Sequence, residues 1–262
     1  MTFRTLLTTP TPTSACWRFV SSCCLAARRA RGRAGAELRA ASWRGRAAYG
    51  LCMRGLPSVP WWALVSSLAA PVLLIGGWTV AAAVQPVPFD AVLRTISELA
   101  ASDTPHRWLM TGALVGVGLS HLATACALAP AAAAGRLIHG LGGFATLVVA
   151  AFPLPAGGRS SLPHTAAASV AFISLAAWPA FAWKRRPVPG PTVAAVLGPR
   201  VSAAATVALL LTLAWFFAEM HLGGERVGLA ERVAAGAQAV WPLAVVLSVR
   251  RAQRRVRPDI PT

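Results

Sequence analysis

The sequence predicts an all-helical integral membrane bundle of six transmembrane helices, with a short amphipathic helix between the first two spans. Three observations carry this reading. Of 262 residues, 56% are hydrophobic and only 13% charged, about half the ~25% charge of a soluble domain. Mean hydropathy is +0.58. Six stretches approach or exceed the ~20 apolar residues a helix needs to cross a bilayer, within a range of about 17–25.

The spans follow in order. Trp61 to Val84 has no charge, Trp108 to Ala129 holds only His121, and Leu137 to Leu154 holds only His139. Thr165 to Trp183 and Val201 to Ala218 contain no ionisable group. Val233 to Val249 is the shortest and holds Gln238. Helices satisfy their own backbone, as lipid demands. A soluble bundle would need far more charge to cover these segments. Pro179 and Pro242 fall inside spans four and six, where they are expected to bend the helix. Gly112 and Gly116 lie on span two, Gly140 and Gly143 on span three. With 24 Arg against 1 Lys, the chain carries the mark of GC-rich coding. These glycines are therefore read as composition, and no helix interface is assigned to them.

The residue between Phe89 and Ala101 that matters for the amphipathic element is the apolar set Val92, Leu93, Ile96, Leu99 and Ala100, at helical spacing. Such a helix lies on the membrane surface. It would either tuck Ser97 and Glu98 against the bundle or turn them to water.

Charge sets the orientation. The chain carries 25 Lys+Arg against 8 Asp+Glu, a net +17. With the N-terminal tail inside, twenty of the basic residues fall on the cytoplasmic side and five outside. Six of the eight acids fall outside. Cytoplasmic loops carry the excess of Lys and Arg in membrane proteins, so both termini are expected in the cytoplasm of a cell (inner) membrane protein. The basicity then needs no nucleic-acid partner. Membrane lipids are the expected partners, and protein partners stay open.

Residues 1–60 form a separate region with ten Arg, one acid (Glu37) and four of the five Cys. They read as a basic, disordered tail, with three explanations open: an organellar-type leader, a tail near anionic lipid, or a start at Met53. The six-span domain covers 61–249, and 250–262 reads as a basic cytoplasmic tail. Cysteine spacing matches no metal site, and a cytoplasmic location disfavours disulfides.

Several short segments carry a family likeness. They are Thr95-Ile96-Ser97-Glu98-Leu99-Ala100 after span one, Phe152-Pro153 closing span three with His164 opening span four, and Gly228-Leu-Ala-Glu231-Arg232 before span six. In this order the chain resembles the domain of unknown function 998 family, small multi-pass membrane proteins with an "ISELA"-like segment and an "FP…H" junction, over roughly residues 60–250. The resemblance implies a fold and a membrane location, and no activity. Where the family pattern often has an acid after Phe-Pro, this chain has Leu154-Pro155, so no ligand role carries over to that position.

Ionisable groups at or near membrane depth are costly and tend to be functional. One outer cluster is expected: Ser97, Glu98, Asp103, His164, Glu219, Glu231 and Arg232 around a shared mouth. The bland reading is hydrated interfacial residues plus an acid–Arg232 pair holding loops. The functional reading is a site for a lipid or small ligand, or support for a membrane complex. Two alternatives are a metal-dependent lipid hydrolase and a small proton-coupled transporter. No cofactor is predicted; a zinc would fall to His164, Glu219 and Asp103, which lack HxxxH or HExxH spacing. Enzymatic activity is left open, leaning against. His121 and His139 are expected about 9 Å apart in depth, at 1.5 Å rise per residue. They are read as neutral rings bonded to backbone or hydroxyl neighbours, with no role assigned.

Overall fold

The structure is a computed structural model, describing residues 58–159, 161–184 and 195–256. The tail expected before residue 58 and the last residues after 256 lie outside the described residues.

Six helices are long and apolar enough to cross a membrane, and no strand occurs among the described residues. They are α1 (Trp62–Ala83), α2 (Arg107–Ala127), α3 (Ala133–Ala151), α4 (Leu162–Ala182), α5 (Pro199–His221) and α6 (Val227–Val256). The 22 residues of α1 span about 33 Å at 1.5 Å each, enough for the hydrocarbon core. Starts are marked locally. Ser161 caps α4 by accepting from the His164 amide, with Pro163 in the first turn, and Pro199 opens α5. These are positions where a proline's missing N–H costs nothing. Pro71, Pro179 and Pro242 sit inside α1, α4 and α6, each of which continues past its proline. α6 also runs on through residues 250–256, the first part of the expected C-terminal tail.

Each helix packs on its chain neighbours, and α6 closes the ring on α1. Large apolar side chains such as Leu137 (74% exposed), Leu211 and Phe144 point outward. On a soluble protein a continuous surface of this kind would drive aggregation; in a bilayer it is the lipid-facing belt. The α2–α3 crossing is made by glycines. A Cβ on Gly143 would lie 2.9 Å from the Gly118 carbonyl oxygen and 2.9 Å from His121 Cβ. Small residues let helices approach this closely in lipid. The compositional reading of the glycines is thus corrected for Gly143, and for Gly116, where a Cβ would lie 2.6 Å from Leu73 Cδ1 on α1. It stands for Gly112, with open space around it, and for Gly140, with ordinary contacts.

The loops sort to two ends. The first loop is bonded to the third loop and to the start of α6 at what we call the odd-loop end: Ser102 N–H donates to the Leu154 carbonyl and Leu229 N–H to the Val92 carbonyl. At the opposite, even-loop end, Arg136 and Arg250 are held by backbone carbonyls. Arg136 donates to the carbonyls of Ala125 and Cys126 at the end of α2, and Arg250 to those of Val59 and Pro60. Cations stabilise helix C-termini, so Arg136 has a structural task besides its contribution to charge asymmetry.

Candidate functional site

The odd-loop end is built around the α1–α2 loop. Asp90 Oδ1 accepts from the amides of Val92 (2.8 Å) and Leu93 (3.1 Å), closing a turn that ends at Arg94. These two backbone donors hold the exposed Asp90 carboxyl below its ordinary value of 3.8. Next comes Thr95-Ile-Ser-Glu98. The Thr95 hydroxyl accepts from the Glu98 amide, and Glu98 Oε1 accepts from the Thr95 amide at 2.9 Å. This reciprocity is a capping box, and T-x-x-E is its signature in sequence. It starts one 3-10 turn, Ser97–Ala100. The expected amphipathic helix is this single turn, with Ile96, Leu99 and Ala100 buried while Val92 and Leu93 stay exposed. Ser97 turns toward the bundle, and Glu98 forms an ion pair with Arg94 Nε at 2.8 Å.

The first turns of α6 grip this loop. Glu231 is buried and accepts from the Ile96 amide and from Ser97 Oγ (3.3 Å). Arg232 Nη1 donates to the carbonyls of Ala91, Arg94 and Gly228 at 2.8–2.9 Å. The Arg232 guanidinium also lies over the rings of Trp78 and Phe89. Gly228 is required by close approach, since a Cβ there would run into the Arg94 and Ala91 carbonyl groups. The expected acid–Arg232 pair is corrected: the ion pair found among the described residues is Arg94–Glu98, and Arg232 binds carbonyls. A loop that ends in free carbonyls needs donors, and a guanidinium supplies several.

The remaining expected residues do not join one mouth. Asp103 Oδ2 accepts from the Gly157 amide at 2.8 Å, tying the first loop to the third. His164 Nδ1 lies 2.8 Å from the Phe152 carbonyl oxygen, joining the start of α4 to the end of α3. Glu219 accepts from Trp215 Nε1 and from the Arg226 amide, both at 3.0 Å, bracing the α5–α6 turn. His164, Glu219 and Asp103 therefore serve three separate contacts. Among the described residues no group of three His, Cys, Asp or Glu is placed to hold a metal.

The clamp leaves an open cleft of about 430 Å³ between the first and third loops, lined by Gln85, Val87, Arg94, Glu98, Asp103 and Thr104 among others. Two expected residues, Glu98 and Asp103, share it. Arg94 and Gln85 were not anticipated. Arg94 was legible as the basic residue four before Glu98, a spacing at which side chains meet on a helical turn; Gln85 carried no signal.

A second cluster lies inside the bundle. The rings of His121 (α2) and His139 (α3) meet edge to face at 4.9 Å, and Trp178 (α4) lies 4.8 Å from His139. All three are essentially fully buried. Among the described residues, both nitrogens of His139, Nδ1 of His121 and Nε1 of Trp178 have no hydrogen-bond partner. The expectation of backbone- or hydroxyl-bonded histidines is thus corrected for His139. The depth offset is corrected too. α3 begins at Ala133, so His139 is six residues from its helix end, as His121 is from the end of α2 at Ala127.

The family model described as protein of unknown function (DUF998) matches residues 67–248. No curated protein and no solved structure matches the chain. With more than half its length matched, the chain belongs to the DUF998 family.

Proposed function

We propose that this DUF998 protein binds a lipid headgroup or small polar ligand in the cleft at the odd-loop end, and that this end faces outward from the cell (inner) membrane with both termini cytoplasmic. The observation that carries the binding role is the cleft itself, about 430 Å³, with Arg94, Glu98 and Asp103 on its wall. Its wall is braced by buried and charged contacts from α6, and binding is favoured where little ordering remains to be done. The orientation rests on charge along the sequence: with the N-terminal tail counted alongside the even loops, twenty of 25 Lys+Arg fall on that side of the six spans. The metal-hydrolase and proton-transport readings draw no support from this geometry, because His164, Glu219 and Glu231 are each engaged in a different structural contact.

A photocrosslinking side chain at Val87 tests the binding role. Val87 lines the cleft and is 74% exposed. Val207, 57% exposed on α5, reports ordinary lipid contact. A lipid or small-molecule adduct enriched at position 87 over position 207 supports the cleft as a site. The same adducts in the same proportions at both positions overturn it.

A further inference from the structure

We infer that the ligand of this cleft is a phosphoethanolamine group, with its primary ammonium at Asp103 and its phosphate at Arg94; this rests on the binding role proposed above. The inference comes from which polar atoms the fold has already used. Glu98 is largely engaged: Oε1 accepts from the Thr95 amide and hydroxyl, and Oε2 is paired with Arg94 Nε, which leaves it one of about four acceptor sites. Arg94 uses only Nε, so its Nη1 and Nη2 carry four N–H donors without a hydrogen-bond partner among the described residues. The side chain is 48% exposed, and its guanidinium lies 4.5 Å over the Phe89 ring. A planar fork held this way suits a phosphate.

The acceptors are elsewhere in the same cleft. Asp103 uses Oδ2 on the Gly157 amide, which leaves Oδ1 without a donor among the described residues. Gln85 gives Nε2 to the Ala81 and Pro105 carbonyls, and among the described residues its Oε1 is an unused acceptor. Free donors on Arg94 and free acceptors on Asp103 and Gln85 make the cleft complementary to a zwitterion. An ammonium with three N–H groups can use such acceptors. A quaternary ammonium cannot, and is held instead by an aromatic cage; none of the residues lining the cleft is aromatic. The cleft also lies just past the end of α1, next in sequence to exposed Val84, and its lining residue Pro105 is three residues before exposed Trp108 at the start of α2. Tryptophan is enriched at headgroup depth.

The test is native mass spectrometry of the full chain from a maltoside micelle. It is titrated with chain-matched phosphatidylethanolamine, phosphatidylcholine and phosphatidylglycerol, and separately with free phosphoethanolamine and with glycine. The expected result is phosphatidylethanolamine bound about tenfold or more over the other two lipids, a difference of about 1.4 kcal/mol. Asp103→Asn keeps an oxygen for Gly157 and removes the charge, so it should abolish that preference. Arg94→Gln should weaken phosphatidylethanolamine and phosphatidylglycerol alike. Displacement of the lipid by free phosphoethanolamine identifies a soluble source; lipid binding without displacement identifies the bilayer, and either supports the inference. Equal binding of phosphatidylcholine, or glycine binding as well as phosphoethanolamine, overturns the headgroup assignment and leaves the cleft as a site. If no probe binds a chain that retains its wild-type thermal transition, the binding role falls with it.

Discussion

Glu231 on α6 and Ile96 in the α1–α2 loop are joined by a hydrogen bond from the Ile96 amide to the Glu231 carboxylate, across 135 residues of chain. The carboxylate is buried, and Ser97 Oγ also donates to it. A buried carboxylate in a membrane helix is costly, and here it supplies the acceptor that a buried amide requires.

Removing that acceptor should loosen the loop. Glu231→Leu leaves a buried amide unsatisfied, at a cost of about 1–3 kcal/mol, whereas Glu231→Gln keeps an acceptor and should stay closer to wild type. Thermal unfolding in detergent reads the difference, and hydrogen exchange at Ile96 localises it. A Glu231→Leu protein with unchanged exchange at Ile96 would show that the clamp does not hold the loop.

The α2–α3 crossing should be intolerant of a methyl group. Gly143→Ala brings a Cβ to 2.9 Å from the Gly118 oxygen, and overpacking of this kind costs about 1–3 kcal/mol. Gly112→Ala meets nothing within 4 Å and should be neutral or stabilising by up to about 1 kcal/mol from helix propensity. The two midpoints, measured side by side, should move in opposite directions or leave Gly112→Ala unmoved.

The two kinds of buried histidine should respond differently. His139→Leu removes two nitrogens that have no partner, so it should fall within about 1 kcal/mol of wild type. His164→Leu strips the Phe152 carbonyl of its partner and should cost about 1 kcal/mol or more. A large loss at His139 and none at His164 would reverse the assignment.

Acid should release the Asp90 turn. Its carboxylate is held below 3.8 by the Val92 and Leu93 amides. A depressed folded value means the stabilisation is present above the ordinary value and lost as pH falls through the lower folded one. The amide shifts of Val92 and Leu93 should titrate with a midpoint below 3.8, and Asp90→Asn should abolish the transition.

Reporter fusions after residues 190 and 262 should both report the cytoplasm. An outside signal at either position would break the orientation drawn from the charge asymmetry.

The helices and their number were legible in the sequence because lipid imposes one local requirement, a long apolar segment that satisfies its own backbone. The six stretches match α1 to α6, with ends shifted by one to four residues in the first five and by six and seven in α6. The family motifs were legible as segments: Thr95–Glu98 and Gly228–Arg232 contain both halves of the clamp. Depth was less secure. Reading α3 from Leu137 instead of Ala133 put His139 at the wrong level, because the charge of Arg136 ends the apolar run in sequence while in the fold Arg136 is absorbed by the carbonyls of α2.

By itself, then, the sequence determined the spans, the sidedness of the charge and the polar residues gathered at one end, since all three follow from composition along the chain. Only the tertiary structure decided which of those polar residues meet. Ser97 finds Glu231, Arg232 finds carbonyls, Asp103 finds Gly157, His164 finds the Phe152 carbonyl at the end of α3, and Glu219 stays with its own turn. The reason is physical: a buried donor or acceptor is satisfied by whichever group the packing of distant helices brings within about 3 Å, and that proximity is written in no local stretch of chain.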